Sequence, residues 1–538
     1  MQLVVFALFL VYFSNPSQDR WSYLMAVPVS RGPSRPVTIF RSFSAGLGPA
    51  AVVWGRASGP NDEQRMGVTM SKVTSIEEGR MSREAMDSDY EPRRFKVYTD
   101  KNIGKIEHLS RLDDNTVFEM KVVSSVLPFR VNEYMINDVI DWDRVPNDPL
   151  YQLTFPQRDM LPPELYEEMA DLHRQGADKQ AIKEKARELR ERLNPHPAGQ
   201  KEMNLPSDEE GEAIDGLQHK YNETVLFFPS AGQTCHSYCT FCFRWAQFVG
   251  DQEFKIAADD ASRMQSYLLA NKQVSDLLMT GGDPMIMKTR KLREYLEPLT
   301  DKAYAHVQTI RIGTKALSFW PYRFVTDKDA DDVLALFREL VDAGKHVAVM
   351  AHYNHWQEMQ TEVAREAIRR IRETGAEIRT QGPLLKNIND DPSVWARMWN
   401  EQVHMGMIPY YMFVERDTGA KNYFEVPLVR AWEIYREAMQ QVSGLGRTAR
   451  GPSMSAGPGK VEIQGVSEVK GEKVIVLRFI QGRNPDWVQR PFFAKYDPEA
   501  TWLDQLEPAF GEKEFFFEAE YRQMCEEART FLEGKKLV

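Results

Sequence analysis

Between residues 224 and 442, short apolar runs alternate with longer amphipathic runs, and this alternation limits the fold more than any other feature of the chain. The strand-like runs are TVLFF (224–228), DLLMTGGD (276–283), VQTIRIG (307–313), HVAVMAHYN (346–354), EIRTQGPLL (377–385) and IPYYMFVE (408–415). Each is followed by a run with apolar residues at helical spacing: 257–271, 290–299, 329–344, 361–375, 391–406 and 427–442. Strand-then-helix units repeated in one direction call for a parallel sheet, because each return path is a helix laid on the sheet. The expected fold is therefore α/β: a partial parallel (β/α) barrel of about six βα units over 216–445. A helical and extended N-terminal arm over 66–215 precedes it, and a C-terminal cap over 446–538 follows. In such folds chemistry sits on the loops beyond the carboxyl ends of the strands.

The flanks are less regular. Residues 146–164 are proline-rich and read as an extended arm laid over other structure. Residues 163–193 carry Glu and Arg at helical spacing and read as solvated surface helices. The opening run MQLVVFALFLVYF (1–13) is too short to span a bilayer and has no basic residue before it, so a signal peptide is weakly supported. The expectation for 1–65 is a disordered or over-extended start, with Met66 or Met70 as alternative first residues and a transit peptide as runner-up. No later segment reads as a membrane helix. A net charge of -10 argues against a nucleic-acid binder. Four cysteines in 538 residues form no disulfide framework and point to a reducing compartment, the cytoplasm.

Three of those cysteines stand in TCHSYCTFCFRW (234–245), spaced C-x3-C-x2-C at Cys235, Cys239 and Cys242. A disulfide would leave one over, and structural zinc takes four ligands. A four-iron cluster held by three thiolates keeps one iron open to a ligand, whereas ferredoxin spacings use four cysteines. Zinc completed by His236 is the alternative for the metal. Cys525, in a helical run, reads as an idle or buried thiol.

The cysteine spacing, with Phe241 beside Cys242 and TGGDPM (280–285) downstream, resembles the radical S-adenosylmethionine enzymes. In them the open iron chelates the amino and carboxylate groups of S-adenosylmethionine. The resemblance assigns the 4Fe-4S cluster to the three cysteines and the adenosyl donor to Gly281, Gly282 and Asp283, where glycine lets backbone approach closely. PNDPLYQL (146–153), 201–227, IRIGTKALSFWPYR (310–323), AHYNHW (351–356), IPYYMF (408–413) and AGPGK (456–460) follow the order of the lysine 2,3-aminomutase family. That likeness spans about 130 to 465. It implies an isomerase that moves an α-amino group to the β-carbon with pyridoxal 5′-phosphate (PLP) as second cofactor. It places PLP on Lys460, its phosphate near Lys220 and Tyr221, the adenosyl group near His352, and the substrate carboxylate on Arg244. The implied partners are an amino-acid substrate, a reductant such as flavodoxin or ferredoxin, and a second copy of the chain. Nucleic acid and membrane are not among them. A radical enzyme without PLP and a non-catalytic iron–sulfur or metal-binding protein are the alternatives.

The likeness breaks at the pocket for the substrate's distal group. Lysine-specific members hold an ammonium there with two aspartates; the matching positions here are Ser453 and either Arg416 or, with a one-residue shift, Asp417. An arginine facing the pocket would repel lysine and favour an acidic or neutral side chain. Lysine remains the family default. Lys220 replaces an arginine and loses its bidentate fork. The cysteines of the family's C-terminal zinc site are absent.

Overall fold

The structure, a computed structural model, describes residues 23–29, 37–43, 90–199, 203–208, 210–250 and 256–536. The chain divides into a unit of residues 1–85 and a unit of residues 86–538. In the first, β1 (Tyr23–Val29) pairs antiparallel with β2 (Val37–Phe43). The expectation of disorder or a mistaken start over 1–65 otherwise lies outside the described residues.

The second unit begins with the arm. β3 (Val97–Thr99) pairs antiparallel with β4 (Arg130–Asn132), and α1 (Asp114–Val126) packs with α3 (Pro163–Arg174) and α4 (Lys179–Glu191). α4 buries only Ala186 and Leu189, as its charged sequence foretells. The proline-rich stretch is not wholly extended: α2 (Pro149–Thr154) interrupts it and is buried throughout. Its start signal is in the sequence. The Asp148 carboxylate accepts from the amides of Leu150 and Tyr151, and Pro149 occupies the first turn, where a missing N–H costs nothing.

The core is an eleven-stranded sheet whose strands lie side by side in chain order. It runs from β5 (Leu217–Tyr221) through β6 (Thr224–Phe227), β7 (Asp276–Met279), β8 (Thr309–Thr314), β9 (His346–His352), β10 (Glu377–Leu384) and β11 (Ile408–Val414) to β12 (Arg450–Ser455). β13 (Gly459–Val469), β14 (Glu472–Gly482) and β15 (Pro491–Lys495) complete it. β6 to β12 are parallel throughout. Their crossovers are α5 (Ala261–Ala270), α6 (Thr289–Leu296), α7 (Ala316–Phe319) with α8 (Ala330–Asp342), α9 (Glu362–Arg372), α10 (Pro392–His404), and α11 (Lys421–Phe424) with α12 (Leu428–Gln440). These are the expected βα units. α9 illustrates the pattern: Val363, Ala364, Ala367, Ile368 and Ile371 form its buried stripe, Thr361 caps its start, and Gly375 follows at φ +86°. β9 is buried on both faces from Val347 to Ala351, as a central parallel strand requires.

The sheet is open: β5 and β15 are its two edges, and they do not pair. What stands of the barrel expectation is a mixed α/β fold with a large, mostly parallel sheet. The C-terminal cap is an antiparallel extension of that sheet, β12 to β15, followed by α13 (Glu518–Lys536). It has its own apolar cluster, with Phe479, Trp487, Phe492, Phe515 and Phe517 at its centre. Among the described residues no helix is long and apolar enough to cross a membrane.

Candidate active site

The loop after β6 carries the cysteines, and the N-terminal arm fixes it. The amides of Tyr238 and Thr240 donate to the carbonyls of Arg130 (2.8 Å) and Leu153 (3.0 Å). Ser237 Oγ accepts from the Asn132 amide at 3.0 Å, and Asn132 Nδ2 donates to the carbonyls of His236 and Phe319. Cys235, Cys239 and Cys242 are all free thiols and line one cavity of about 250 Å³. Burial raises all three thiols above their ordinary range, Cys242 to about 11, and for Cys235 and Cys239 nearby carboxylates and sister thiols add to the effect. Three half-buried thiols that resist ionisation together suit a strongly cationic centre, which makes thiolate the favoured form. Among the described residues, no three His, Cys, Asp or Glu side chains converge where a single metal ion could sit. A multi-iron cluster needs no such convergence, since each thiolate meets its own iron. His236 is turned away from this cavity: its ring packs edge-on against Phe95 at 5.6 Å.

The turn after β7 meets the root of this loop. The Asp283 amide donates to the carbonyls of Gly232 and Thr234 at 3.0 and 2.8 Å. A Cβ on Gly282 would lie 2.5 Å from the Thr234 carbonyl oxygen, and one on Gly281, at φ +148°, would lie 2.4 Å from Gln233 Nε2. Gly282 is therefore demanded by the backbone of the cysteine loop and Gly281 by its left-handed φ, reasons additional to any close approach of a ligand. The Asp283 carboxylate accepts from Thr314 Oγ1 (2.7 Å), the Lys315 amide (2.9 Å) and the Met285 amide (2.9 Å), yet burial still lifts it to about 6. Gly281, Gly282 and Asp283 all line the cavity.

Lys315 and His352, beyond β8 and at the end of β9, continue the wall. Lys315 Nζ donates to Glu358 Oε1, Asn354 Oδ1 (3.0 Å) and the His352 carbonyl (3.2 Å). Glu358 also accepts from Ser318 Oγ and the Asn354 and His355 amides. No local motif marks this ion pair, whose side chains are 7% and 0% exposed. Burial holds the His352 imidazole far below its usual titration range, so it is neutral and free to hydrogen-bond. Phe241 packs edge-on against it at 5.8 Å.

Two guanidinium groups enter, one from the loop after β6 and one from the loop after β11. Arg244 Nη1 donates to Thr280 Oγ1 at 2.8 Å and the Gly281 carbonyl at 3.2 Å. Arg416 Nη2 donates to the Ser455 carbonyl at 2.6 Å. Both lie over the Phe243 ring, at 5.0 and 4.9 Å from its centre. Both have a buried Nε without a partner, and burial lowers both, Arg244 to about 10. Neither touches a carboxylate, so each has donors to spare for an anion.

Lys460, the second residue of β13, pairs with Ser455, which lines the cavity. Its ammonium sits 4.2 Å from the centre of the Tyr411 ring. Burial first, then the cations Arg311, Arg450 and Arg416, bring its pKa down to about 7. Lys220, with Nζ on the Ala456 carbonyl at 2.5 Å, is driven well below the ordinary lysine range by burial and by Arg483, Arg416 and Lys460. Arg483 donates to the carbonyls of Gly457 and Met203 and to Asn204 Oδ1. Burial raises the neighbouring Tyr221 hydroxyl, opposed by Arg483 and Arg416. Lys220, Arg416, Lys460 and Arg483 thus crowd around one short turn and rest mainly on neutral acceptors. Such a nest fits a phosphate. Arg483 lies beyond the segments that carry the family likeness, and no local motif marks it.

Lys220, Tyr221 and Lys460 border the cavity from this side without lining it, whereas Arg244 and Arg416 line it. Asp417 and Ser453 do not. Asp417 meets Asn194, whose Nδ2 donates to its carbonyl and carboxylate. Ser453 is fully buried within β12, with Oγ on the Met412 carbonyl at 3.5 Å. A second acidic side chain lines the cavity besides Asp283: Glu415, unmarked in the sequence, is 5% exposed, its Oε1 has no partner, and burial lifts its pKa well above the carboxylate range.

No family model matches the chain. Among curated proteins it is 28% identical over 404 residues to a protein of Aquifex aeolicus named "Putative L-lysine 2,3-aminomutase", covering 75% of this chain and 94% of that relative. It is 26% identical over 274 residues to the L-lysine 2,3-aminomutase of Fusobacterium nucleatum, 51% of this chain and 61% of the relative. With the L-lysine 2,3-aminomutase of Escherichia coli the figures are 27% over 244 residues, 44% and 66%.

Proposed function

The chain belongs to the lysine 2,3-aminomutase family, and we propose from that premise that it is a radical S-adenosylmethionine and PLP-dependent aminomutase acting on an acidic or neutral amino acid. One observation carries this reading. Side chains and backbone from the ends of six consecutive parallel strands, β7 to β12, and from the cysteine loop after β6, border a single cavity. We read that shared cavity as the mouth of a sheet curled into a partial barrel.

When bound, a cluster on the three cysteines supplies the electron that cleaves S-adenosylmethionine, and PLP supplies a carbonyl carbon to which the migrating nitrogen bonds. The protein's own part is positioning. Cys235, Cys239 and Cys242 hold the cluster, and the arm that pins their loop keeps it in place. Asp283, anchored by three hydrogen bonds, and the Gly281–Gly282 turn border the adenosyl donor, with neutral His352 as its hydrogen-bonding neighbour. Arg244, with Nε unpaired, orients the substrate carboxylate. Lys460, half deprotonated near pH 7, is a ready nucleophile for PLP. Lys220, Tyr221 and Arg483 offset the phosphate. Arg416, the one cation that both lines the cavity and belongs to the nest, disfavours a distal ammonium on the substrate.

All four cysteines are unpaired, and a cluster that must be reduced suits a reducing compartment, so the cytoplasm is our proposed location. The test is an anaerobic assay of reconstituted protein with S-adenosylmethionine, PLP and a chemical reductant against a panel of amino acids. The expected product is a β-amino isomer of an acidic or neutral member, with lysine turned over poorly. Consumption of S-adenosylmethionine with no β-isomer from any member, and no borohydride-sensitive PLP on Lys460, would leave a radical enzyme of another kind.

A further inference from the structure

A second hollow, of about 560 Å³, lies on the other side of the cysteine loop. His236 is in its wall, one peptide bond from Cys235, and its Nδ1 is 4.0 Å from Asp283 Oδ2, so groove and cavity share one partition. His236 belongs to an aromatic cluster in the wall of this hollow: its ring packs on half-buried Phe95 at 5.6 Å, and Phe95 packs on buried Trp320 at 4.8 Å. Arg130 lies over Phe95 at 5.9 Å with a buried, unpartnered Nε.

The rim is cationic although the chain as a whole is at -10. Arg94, Lys288 and Lys328 are exposed and have no ion-pair partner among the described residues. The two carboxylates in the lining are already engaged: Asp327 accepts from Trp320 Nε1, and Asp329 accepts from the Thr289 amide and pairs with Arg323 at 3.2 Å. The shape is an aromatic floor leading toward Cys235, ringed by available positive charge.

We propose that this groove is the docking surface for a small acidic protein that delivers one electron to the group held by Cys235, Cys239 and Cys242. The proposal rests on the cluster reading above. On that reading the cavity side of the loop is taken up by substrate and adenosyl donor, which leaves the His236 side as the approach from solvent. One electron leaves the carrier's iron–sulfur centre, which is oxidised, and the cysteine-held group is reduced by one; no bond is made or broken. Electron-transfer contacts are small and brief, and complementary charge governs how fast they form.

The experiment uses the full-length, cluster-loaded protein under anaerobic conditions. Stopped-flow bleaching follows reduction by an acidic [2Fe–2S] ferredoxin and, separately, by photoreduced 5-deazariboflavin, a small uncharged donor. The triple variant Arg94→Glu/Lys288→Glu/Lys328→Glu is expected to be reduced by ferredoxin about tenfold or more slowly than the wild type. Its reduction by deazariboflavin is expected to be unchanged, which shows that the cluster is intact. Added salt should slow the ferredoxin reaction of the wild type and spare the variant's. Lys328→Glu alone should show a smaller loss of the same sign, and Lys470→Glu, on the β13–β14 turn, none. Equal ferredoxin rates in wild type and triple variant, or a salt-independent wild-type rate, overturn the docking site. Failure of deazariboflavin to reduce the wild type overturns the cluster reading itself, and this proposal with it.

Discussion

Following PLP attachment to the full-length protein from about pH 5.5 to 9.5 reads the protonation of Lys460, because only the free amine attacks the cofactor's carbonyl. The fold brings this lysine from 10.5 to about 7. Burial is the largest cause, and the cations Arg311, Arg450 and Arg416 add to it. The Tyr411 ring, 4.2 Å away, offers the ammonium only partial compensation. The displacement amounts to roughly 5 kcal/mol against the charged form. At pH 7 about half of the sites carry a free amine, at pH 6 about a tenth and at pH 8 about nine-tenths; an ordinary lysine at pH 7 would have fewer than about one in a thousand. Short exposure to PLP, borohydride trapping and peptide mass mapping give the rate at Lys460 itself. The expected half-rise is near pH 7, and Arg416→Gln, by removing a neighbouring cation, should move it to higher pH. Between about pH 7 and 10.5 the unfolded chain binds more protons at this position than the folded one, so the cofactor-free protein should gain stability from Lys460 as pH rises through that window. A half-rise near 10, or trapping at Lys220 instead, would refute the argument.

Three further outcomes follow from the geometry. Arg416→Asp exchanges a cation in the cavity for an anion; at about 4 Å and partial screening such a contact is worth a few kcal/mol, so discrimination against lysine should fall by about tenfold to a hundredfold in competition assays. Gly282→Ala places a Cβ 2.5 Å from the Thr234 carbonyl oxygen, so the root of the cysteine loop must shift; a stability loss of about 1–3 kcal/mol and faster iron release from the reconstituted protein are expected. Glu358→Gln leaves the buried Lys315 ammonium without its counter-charge and should lower stability by about 3–5 kcal/mol, read as a fall in melting temperature, although residue 358 is not among those lining the cavity.

The sequence exposed the repetitive part of the fold best. A run such as 361–375 can bury its apolar stripe in one way only, and β9 is apolar throughout because both faces are covered. The cysteine loop, the glycine turn and Arg416 were legible because their residue types are costly to place by accident. What escaped depends on long-range packing. The sequence of 446–538 reads as a cap, but that β13 to β15 would extend the main sheet emerges only where β12 supplies the neighbouring edge. Glu415 and Arg416 follow the end of β11, where strand alternation no longer applies, and both reach the cavity while Ser453 stays in the core of β12. The Lys315–Glu358 pair joins loops after different strands, and Arg483 reaches the Lys460 turn from the far end of β14. No local pattern announces such meetings.

The central claim is that Cys235, Cys239 and Cys242 hold a four-iron cluster with one open corner. Iron and acid-labile sulfide analysis of anaerobically reconstituted protein, paired with electron paramagnetic resonance of the reduced sample before and after S-adenosylmethionine, tests it most directly. The account predicts about four of each atom per chain, their loss on replacing any of the three cysteines with alanine, and a spectrum altered by the nucleoside. A single tightly bound metal ion without sulfide, or a four-iron signal indifferent to S-adenosylmethionine, would contradict it.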